Sequence, residues 1–245
     1  MGDSDRPLLV LDLDGTLLDT AAAGVNSSPP DFTSASQGEG KDETETFLRP
    51  GLGAFISMVQ AHGYQLAVWT AAPSIYAEAM IDGIDRVAAP GFRDALGGRI
   101  FTDELTSCSF ERGRVIRTKE LNRLVELTGV PLHRCLIVDD TPGTYALNVR
   151  NALPVEAFEA GYGDDDPTLA ELGAYLCSLD CSPSTILDVS GWKYAPSQGA
   201  GPLTVEAVRE QTTRAKRASM AGGGPPQTAW IGRGSAIEPE SSEDS

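Results

Sequence analysis

The chain has 245 residues, a formal net charge of −16 and a pI near 4.4. That length holds one sizeable α/β domain with extensions, and the acidity argues against sequence-independent contact with nucleic acid phosphate, which needs a lysine or arginine face. The acid is concentrated in Glu39–Glu45 ("EGKDETE"), Asp164–Asp166 ("DDD") and Glu238–Asp244 ("EPESSED"), which read as solvated, self-repelling stretches, the last also a candidate partner-binding tail.

Residues 1–7 lack the basic and apolar regions of a secretory signal and are expected to be a flexible N-terminus. Gly2 is not a myristoylation site on pattern, because Arg6 stands where Ser or Thr is needed. No apolar run approaches the roughly 18 residues of a transmembrane helix, so no membrane partner is expected. Four scattered cysteines with no CxxC, and only His62 and His133 beside them, argue against zinc and for reduced thiols in the cytosol or nucleus.

Leu8 to Leu11 is continuously apolar and runs into Asp12 and Asp14, as in a parallel strand buried on both faces. Residues 20–48 are rich in Ser, Gly, Pro and acids and are expected to be a mobile insertion, too polar and turn-rich for a large cap domain. Pro50 suits a first helical position, and Leu52, Phe55, Ile56 and Val59 recur at helical spacing up to His62-Gly63. "YQLAVWTA" (64–71) predicts a strand, with Ser74 capping a helix to about Asp85. "GRIFT" (98–102) predicts a weaker strand and Lys119–Leu127 a helix stopped at Gly129. "CLIVDD" (135–140) mirrors the opening strand, "ALPVEAF" (152–158) adds another, and Pro167–Leu179 predicts an amphipathic helix. The alternation argues a parallel sheet with helices on both faces across residues 8–189. Residues 190–245 read as a largely disordered tail, with one short helix expected over 204–218, where "RAKRAS" is a conceivable nuclear address or phosphosite.

Ligands of open parallel sheets bind beyond the carboxyl ends of the strands. Three predicted strands place polar groups there: Asp12 and Asp14, then Thr70, then Asp139 and Asp140, with Lys119 on a segment that can return to the same edge. Two carboxylates about 4 Å apart repel by about 4 kcal/mol at an effective dielectric near 20. Such a cluster implies a cation between them or a protonated acid. Both suit phosphoryl transfer: Mg²⁺ bridges carboxylate and phosphate, an ionised aspartate attacks phosphorus, and a second acid protonates the leaving oxygen. Gly15 allows a sharp turn whose amides, with Thr16, would face the phosphate, while Thr70 and Lys119 would meet its outer oxygens.

"DLDGT", "VWTAA", "TKEL" and "IVDD" are similar to the four motifs of the haloacid dehalogenase superfamily, proteins with Rossmann-like folds that are mostly Mg²⁺-dependent phosphatases. "FLRPGLGAFI", "ELTSCSFERG" and "VDDTPGTYALNVRNALPV" further resemble the branch that dephosphorylates the C-terminal domain of RNA polymerase II. The resemblance implies Asp12 as nucleophile, Asp14 as general acid and base, and Mg²⁺ held by Asp12, the Asp14 carbonyl and Asp140. It also implies Thr70 and Lys119 on the phosphoryl group, Asp139 orienting Lys119, a phosphoserine or phosphothreonine protein or peptide as substrate, and a nuclear location. Gly15 stands where many relatives carry Glu, and Asp140 where many carry Asn.

Three rivals share some of these features. "CSFERGR" (108–114) has the C-x5-R spacing of cysteine phosphatases, yet Phe110, Glu111 and Arg112 are too large or too acidic for a loop that wraps phosphate. A small-metabolite phosphatase would use the same core chemistry. A peptide-binding member of the fold would need none of the acids.

Overall fold

The computed structural model describes residues 5–35, 43–111, 114–160 and 165–192. The expected tail helix at 204–218 lies outside them, as do both flanks of "RAKRAS". Five parallel strands form the central sheet: β1 (Leu8–Leu11), β5 (Gln65–Trp69), β6 (Ile100–Phe101), β9 (Cys135–Asp139) and β10 (Ala152–Pro154). Their spatial order is β10-β9-β1-β5-β6. The chain winds outward from β1 through β5 to β6, then crosses back to build β9 and β10 on the other side. The loops after β1 and β9 therefore diverge at a topological switch point, where such sheets open a crevice.

Side chains alternate across this sheet as its pleat requires. Leu9, Leu11, Leu66, Val68, Leu136 and Val138 enter one core with helices α1 (Leu52–His62), α2 (Ser74–Val87), α3 (Phe92–Leu96) and α5 (Thr168–Ser178). Leu8, Val10, Ala67, Trp69, Cys135 and Ile137 enter a second core with Leu121 and Leu124 of α4 (Leu121–Thr128). Burial on both faces explains why the three central strands are nearly uninterrupted apolar runs.

Helix ends sit close to their expected places, with local differences. Gly51 in a left-handed conformation precedes α1, so Pro50 lies one residue outside it. The position before α2 is Pro73, and Ser74 is its first helical residue and provides no side-chain cap. Gly63 ends α1 at φ 110°, a conformation natural to glycine. His62 accepts the helix-end role: its Nε2 lies 2.9 Å from the Leu179 carbonyl.

Residues 20–48 differ from expectation. Their described part forms a three-stranded antiparallel sheet with Leu18, in the order β2-β4-β3: β2 (Leu18–Ala22), β4 (Glu43–Leu48) and β3 (Phe32–Ala35). It is seated on α2, where Phe32 fills the space left by the absent side chain of Gly83 and the Thr46 hydroxyl meets the Met80 sulfur at 3.7 Å. The N-terminus is also tied down from Asp5 on, since Arg6 donates to the carbonyls of Gly63 and Tyr64 at 3.0 and 2.9 Å. At the other end, Trp192 donates to the Pro154 carbonyl at 2.9 Å and packs on Tyr175.

Candidate active site

Register alone brings the acids together. Leu11 pairs with Val138, and the Asp12 amide continues the ladder to the Val138 carbonyl at 3.0 Å, which sets Asp12 beside Asp139. Trp69 ends β5, and the Thr70 amide donates to Phe101 at 3.0 Å, so Thr70 reaches the same edge and is 1% exposed. Its hydroxyl oxygen accepts from the Ala72 amide at 3.1 Å.

Lys119 enters from the far side of the sheet. It lies two residues ahead of α4 and is held by its backbone: its amide donates to Thr144 at 2.7 Å, and its carbonyl accepts from the Asn148 side chain at 2.6 Å. The Asn148 amide oxygen also accepts from the Leu121 amide at 3.3 Å, so one side chain fixes both the lysine and the start of its helix. The Lys119 ammonium then donates to Asp12 Oδ1 at 2.6 Å and Asp139 Oδ2 at 2.7 Å. The other Asp139 oxygen accepts from the Thr141 amide at 2.9 Å, leaving Asp139 occupied on both oxygens.

The electrostatics are lopsided. Asp12, Asp14, Asp139 and Asp140 face one lysine. Burial pushes the Asp12 carboxyl well up, Lys119 opposes this, and Asp139 and Asp140 add to it. Burial, with Asp139 adding, pushes Asp140 up to about 6. Burial disfavours the Lys119 charge, but Asp12 and Asp139 outweigh it and hold its pKa above the ordinary value. Carboxylate oxygens of Asp12, Asp139 and Asp140 lie within 4.8 Å of one another. A hard divalent cation fits this oxygen-only, net-negative set.

The turn after Asp14 corrects one expectation. The amides of Gly15 and Thr16 do not face the crevice: they donate to the Leu18 carbonyl at 2.8 Å and the Leu13 carbonyl at 3.1 Å, inside a tight turn. Gly15 serves a steric purpose instead. It has φ 72°, and a Cβ there would lie 2.8 Å from Asp140 Oδ2. Any side chain at Gly15 would thus press on the Asp140 carboxylate. Thr16 is buried, with its hydroxyl 3.5 Å from Asp140 Oδ1.

Two site residues escaped the sequence reading. The Tyr76 hydroxyl donates to Asp14 Oδ1 from the first turn of α2. Burial raises the Asp14 pKa, and this hydrogen bond pulls the other way. Arg49, 2% exposed, braces the turn from beneath by donating to the Thr16 carbonyl at 3.1 Å while Asp166 holds its Nε at 2.8 Å. A helix beginning just past the Thr70 loop could have flagged Tyr76 as facing the strand ends. The sequence around Arg49 carries no comparable signal.

The described part of the C-x5-R segment lies in a pair of antiparallel strands, β7 (Ser107–Glu111) and β8 (Arg114–Thr118), with Cys108 opposite Arg117.

Residues 7–188 match the family model of NLI interacting factor-like phosphatases. The chain is 31% identical to CTD small phosphatase-like protein 1 of Caenorhabditis elegans over 200 residues, 80% of this chain and 35% of that protein. It is 30% identical to human carboxy-terminal domain RNA polymerase II polypeptide A small phosphatase 1 over 165 residues, 67% of this chain and 56% of that one. It thus spans 35% and 56% of the lengths of these two relatives. Among solved structures, Fcp1, an RNA polymerase II CTD phosphatase, aligns with a TM-score of 0.46 at 18% identity, covering 71% of this chain and 49% of that one. With the family model spanning most of the sequence, the chain belongs to the NLI interacting factor-like phosphatase family.

Proposed function

We propose that this protein is a Mg²⁺-dependent phosphatase that hydrolyses phosphoserine or phosphothreonine in a protein substrate through an aspartyl-phosphate on Asp12. The observation that carries the reading is the buried Lys119 ammonium shared by Asp12 and Asp139 at 2.6 and 2.7 Å, with Asp14 and Asp140 beside them. One oxygen of Asp12 attacks phosphorus as the ester P–O bond breaks, and Asp14 gives its proton to the leaving oxygen. Asp14 then takes a proton from water, whose oxygen attacks phosphorus and releases Asp12 and inorganic phosphate. Thr70 and Lys119 hold the phosphoryl oxygens where transition-state charge gathers. Asp12, Asp140 and the Asp14 carbonyl would hold Mg²⁺, which supplies the positive charge that an acidic crevice needs to admit phosphate.

A protein substrate is supported by the size of the insertion. Its described strands make a small sheet seated on α2, and none of the described segments forms a large cap. The names of the two relatives support the C-terminal domain of RNA polymerase II as the first substrate to try, and with it a nuclear location. No helix among the described residues is long and apolar enough to cross a membrane.

The test is hydrolysis of p-nitrophenyl phosphate and of a phosphoserine peptide from the polymerase repeat, with and without EDTA. Activity on both, lost with EDTA and with Asp12→Asn, is the expected result. Activity on the small ester alone would keep the chemistry and overturn the protein substrate. Folded protein inactive on both would overturn the enzyme reading in favour of a peptide-binding role.

A further inference from the structure

We infer that Tyr76 is a positioning residue for Asp14: it fixes which carboxyl oxygen carries the proton given to the leaving group. The inference rests on the phosphatase reading above. A carboxylic acid has one oxygen that accepts hydrogen bonds and one that carries the proton. The Tyr76 hydroxyl donates to Asp14 Oδ1. A hydrogen bond donated to Oδ1 leaves Oδ2 as the oxygen that binds the proton. An acid of the right strength with its proton on the wrong oxygen is poorly placed for transfer, since proton transfer requires the correct atom within hydrogen-bond reach of the leaving oxygen.

The phenol is itself oriented. Tyr76 sits in the first turn of α2, its amide bonded to the Pro73 carbonyl at 3.1 Å and its ring packed against the main core. The small inserted sheet is seated on the helix that carries the tyrosine: Thr20 of β2 stands opposite Thr46 of β4, and the Thr46 hydroxyl meets the Met80 sulfur of α2 at 3.7 Å.

In the step concerned, the Asp12–phosphorus bond forms while the bond from phosphorus to the substrate oxygen breaks. The electron pair of the broken bond stays on that oxygen, which takes the proton from Asp14 Oδ2. An alkoxide leaving group such as serine needs that proton, whereas p-nitrophenolate departs without it. Losing Tyr76 should therefore harm one substrate and spare the other.

The test compares kcat/KM on a phosphoserine peptide and on p-nitrophenyl phosphate for wild type, Asp14→Asn, Tyr76→Phe and Tyr76→His, because kcat/KM reports phosphoryl transfer to Asp12 and excludes later hydrolysis. Asp14→Asn should lose on the order of 10²-fold or more on the peptide and much less on the aryl ester. Tyr76→Phe should lose about tenfold on the peptide, carried by kcat, and under about threefold on the aryl ester. Tyr76→His, which keeps a ring N–H donor, should recover part of the peptide rate, and it decides the matter if Tyr76→Phe fails to fold. Equal losses on both esters, no loss on either, or a rise in KM for the peptide alone would overturn the inference. If Asp14→Asn loses equally on both, it is the assignment of Asp14 as the acid that falls. If Asp14→Asn is selective and Tyr76→Phe is not, the inference alone falls.

Discussion

The two ends of β9 treat buried charge in opposite ways. At its start, Arg134 is 2% exposed and donates to four backbone carbonyls, those of Ser182, Thr185, Asp5 and Cys181, at 2.8 to 3.0 Å. Those acceptors are neutral dipoles drawn from two distant segments, so the arginine pins the N-terminus and the segment after α5 beneath the sheet. At its end, Asp139 and Asp140 join Asp12 and Asp14 around one lysine. One end meets a cation with four backbone dipoles, leaving its buried Nε without a hydrogen-bond partner, and no acid among the described residues pairs with it directly. The other gathers acids in excess and relieves them incompletely. A buried charge matched by dipoles is a fastening, whereas an unbalanced cluster at a topological switch point is a place for a ligand.

The largest expected effect tests this contrast directly. Lys119→Met should lower kcat/KM by about 10²–10³-fold, the range for removing a donor to transition-state charge. Arg134→Met should leave kcat/KM of the folded fraction within about twofold of wild type while costing about 3 kcal/mol or more in urea unfolding, since four buried carbonyls lose a charged donor. Reversed phenotypes, with Arg134 governing turnover and Lys119 only stability, would break the comparison.

An intermediate effect is expected at Gly15. Alanine there must adopt φ near 72° and place its Cβ 2.8 Å from Asp140 Oδ2. The left-handed conformation costs about 1–2 kcal/mol, which thermal unfolding should register. The carboxylate displaced is one of those assigned to Mg²⁺, so half-maximal activity should require about tenfold more Mg²⁺ at unchanged peptide KM, a shift of about 1.4 kcal/mol. Unaltered Mg²⁺ dependence would mean that Asp140 does not face the ion.

Much of this was legible before the structure, for physical reasons that differ along the chain. β1, β5 and β9 announce themselves because strands buried on both faces must be apolar throughout, and the acids after β1 and at the end of β9 stand out against that background. The inserted sheet was hidden because its ladder runs through Thr, Ser, Ala and Glu. Among the strand residues whose burial is described, Leu18, Phe32, Thr46 and Phe47 are buried, too few to set a visible alternation. Asn148 carries no signal of its own in the sequence, because its service to Lys119 is a contact across 29 positions. The sequence at Gly15 and Thr16 suggests amides that face phosphate, yet the turn uses them itself, on the carbonyls of Leu18 and Leu13. Residue types at strand ends mark the chemistry, whereas long-range contacts such as Tyr76 to Asp14 depend on how one element is seated on another.

The smallest expected effect concerns the one rival nucleophile outside the carboxylate edge. Cys108 is exposed and lies in β7, opposite Arg117 of β8. An attacking thiolate needs a lowered pKa and a nest of amides at its side. Here Cys108 lies in extended strand backbone, where successive amides point to opposite sides and do not converge on one sulfur. Arg117, the cation opposite it, directs its guanidinium to the Ala71 carbonyl at 3.2 Å. Cys108→Ser should therefore keep kcat/KM on both esters within about twofold of wild type, and the thiol reagent iodoacetamide should label Cys108 without matching loss of turnover. Activity lost in step with labelling of Cys108, and preserved in Asp12→Asn, would move the chemistry from the end of β1 to β7. Retention of activity confines it to the strand ends, where four acids face one lysine.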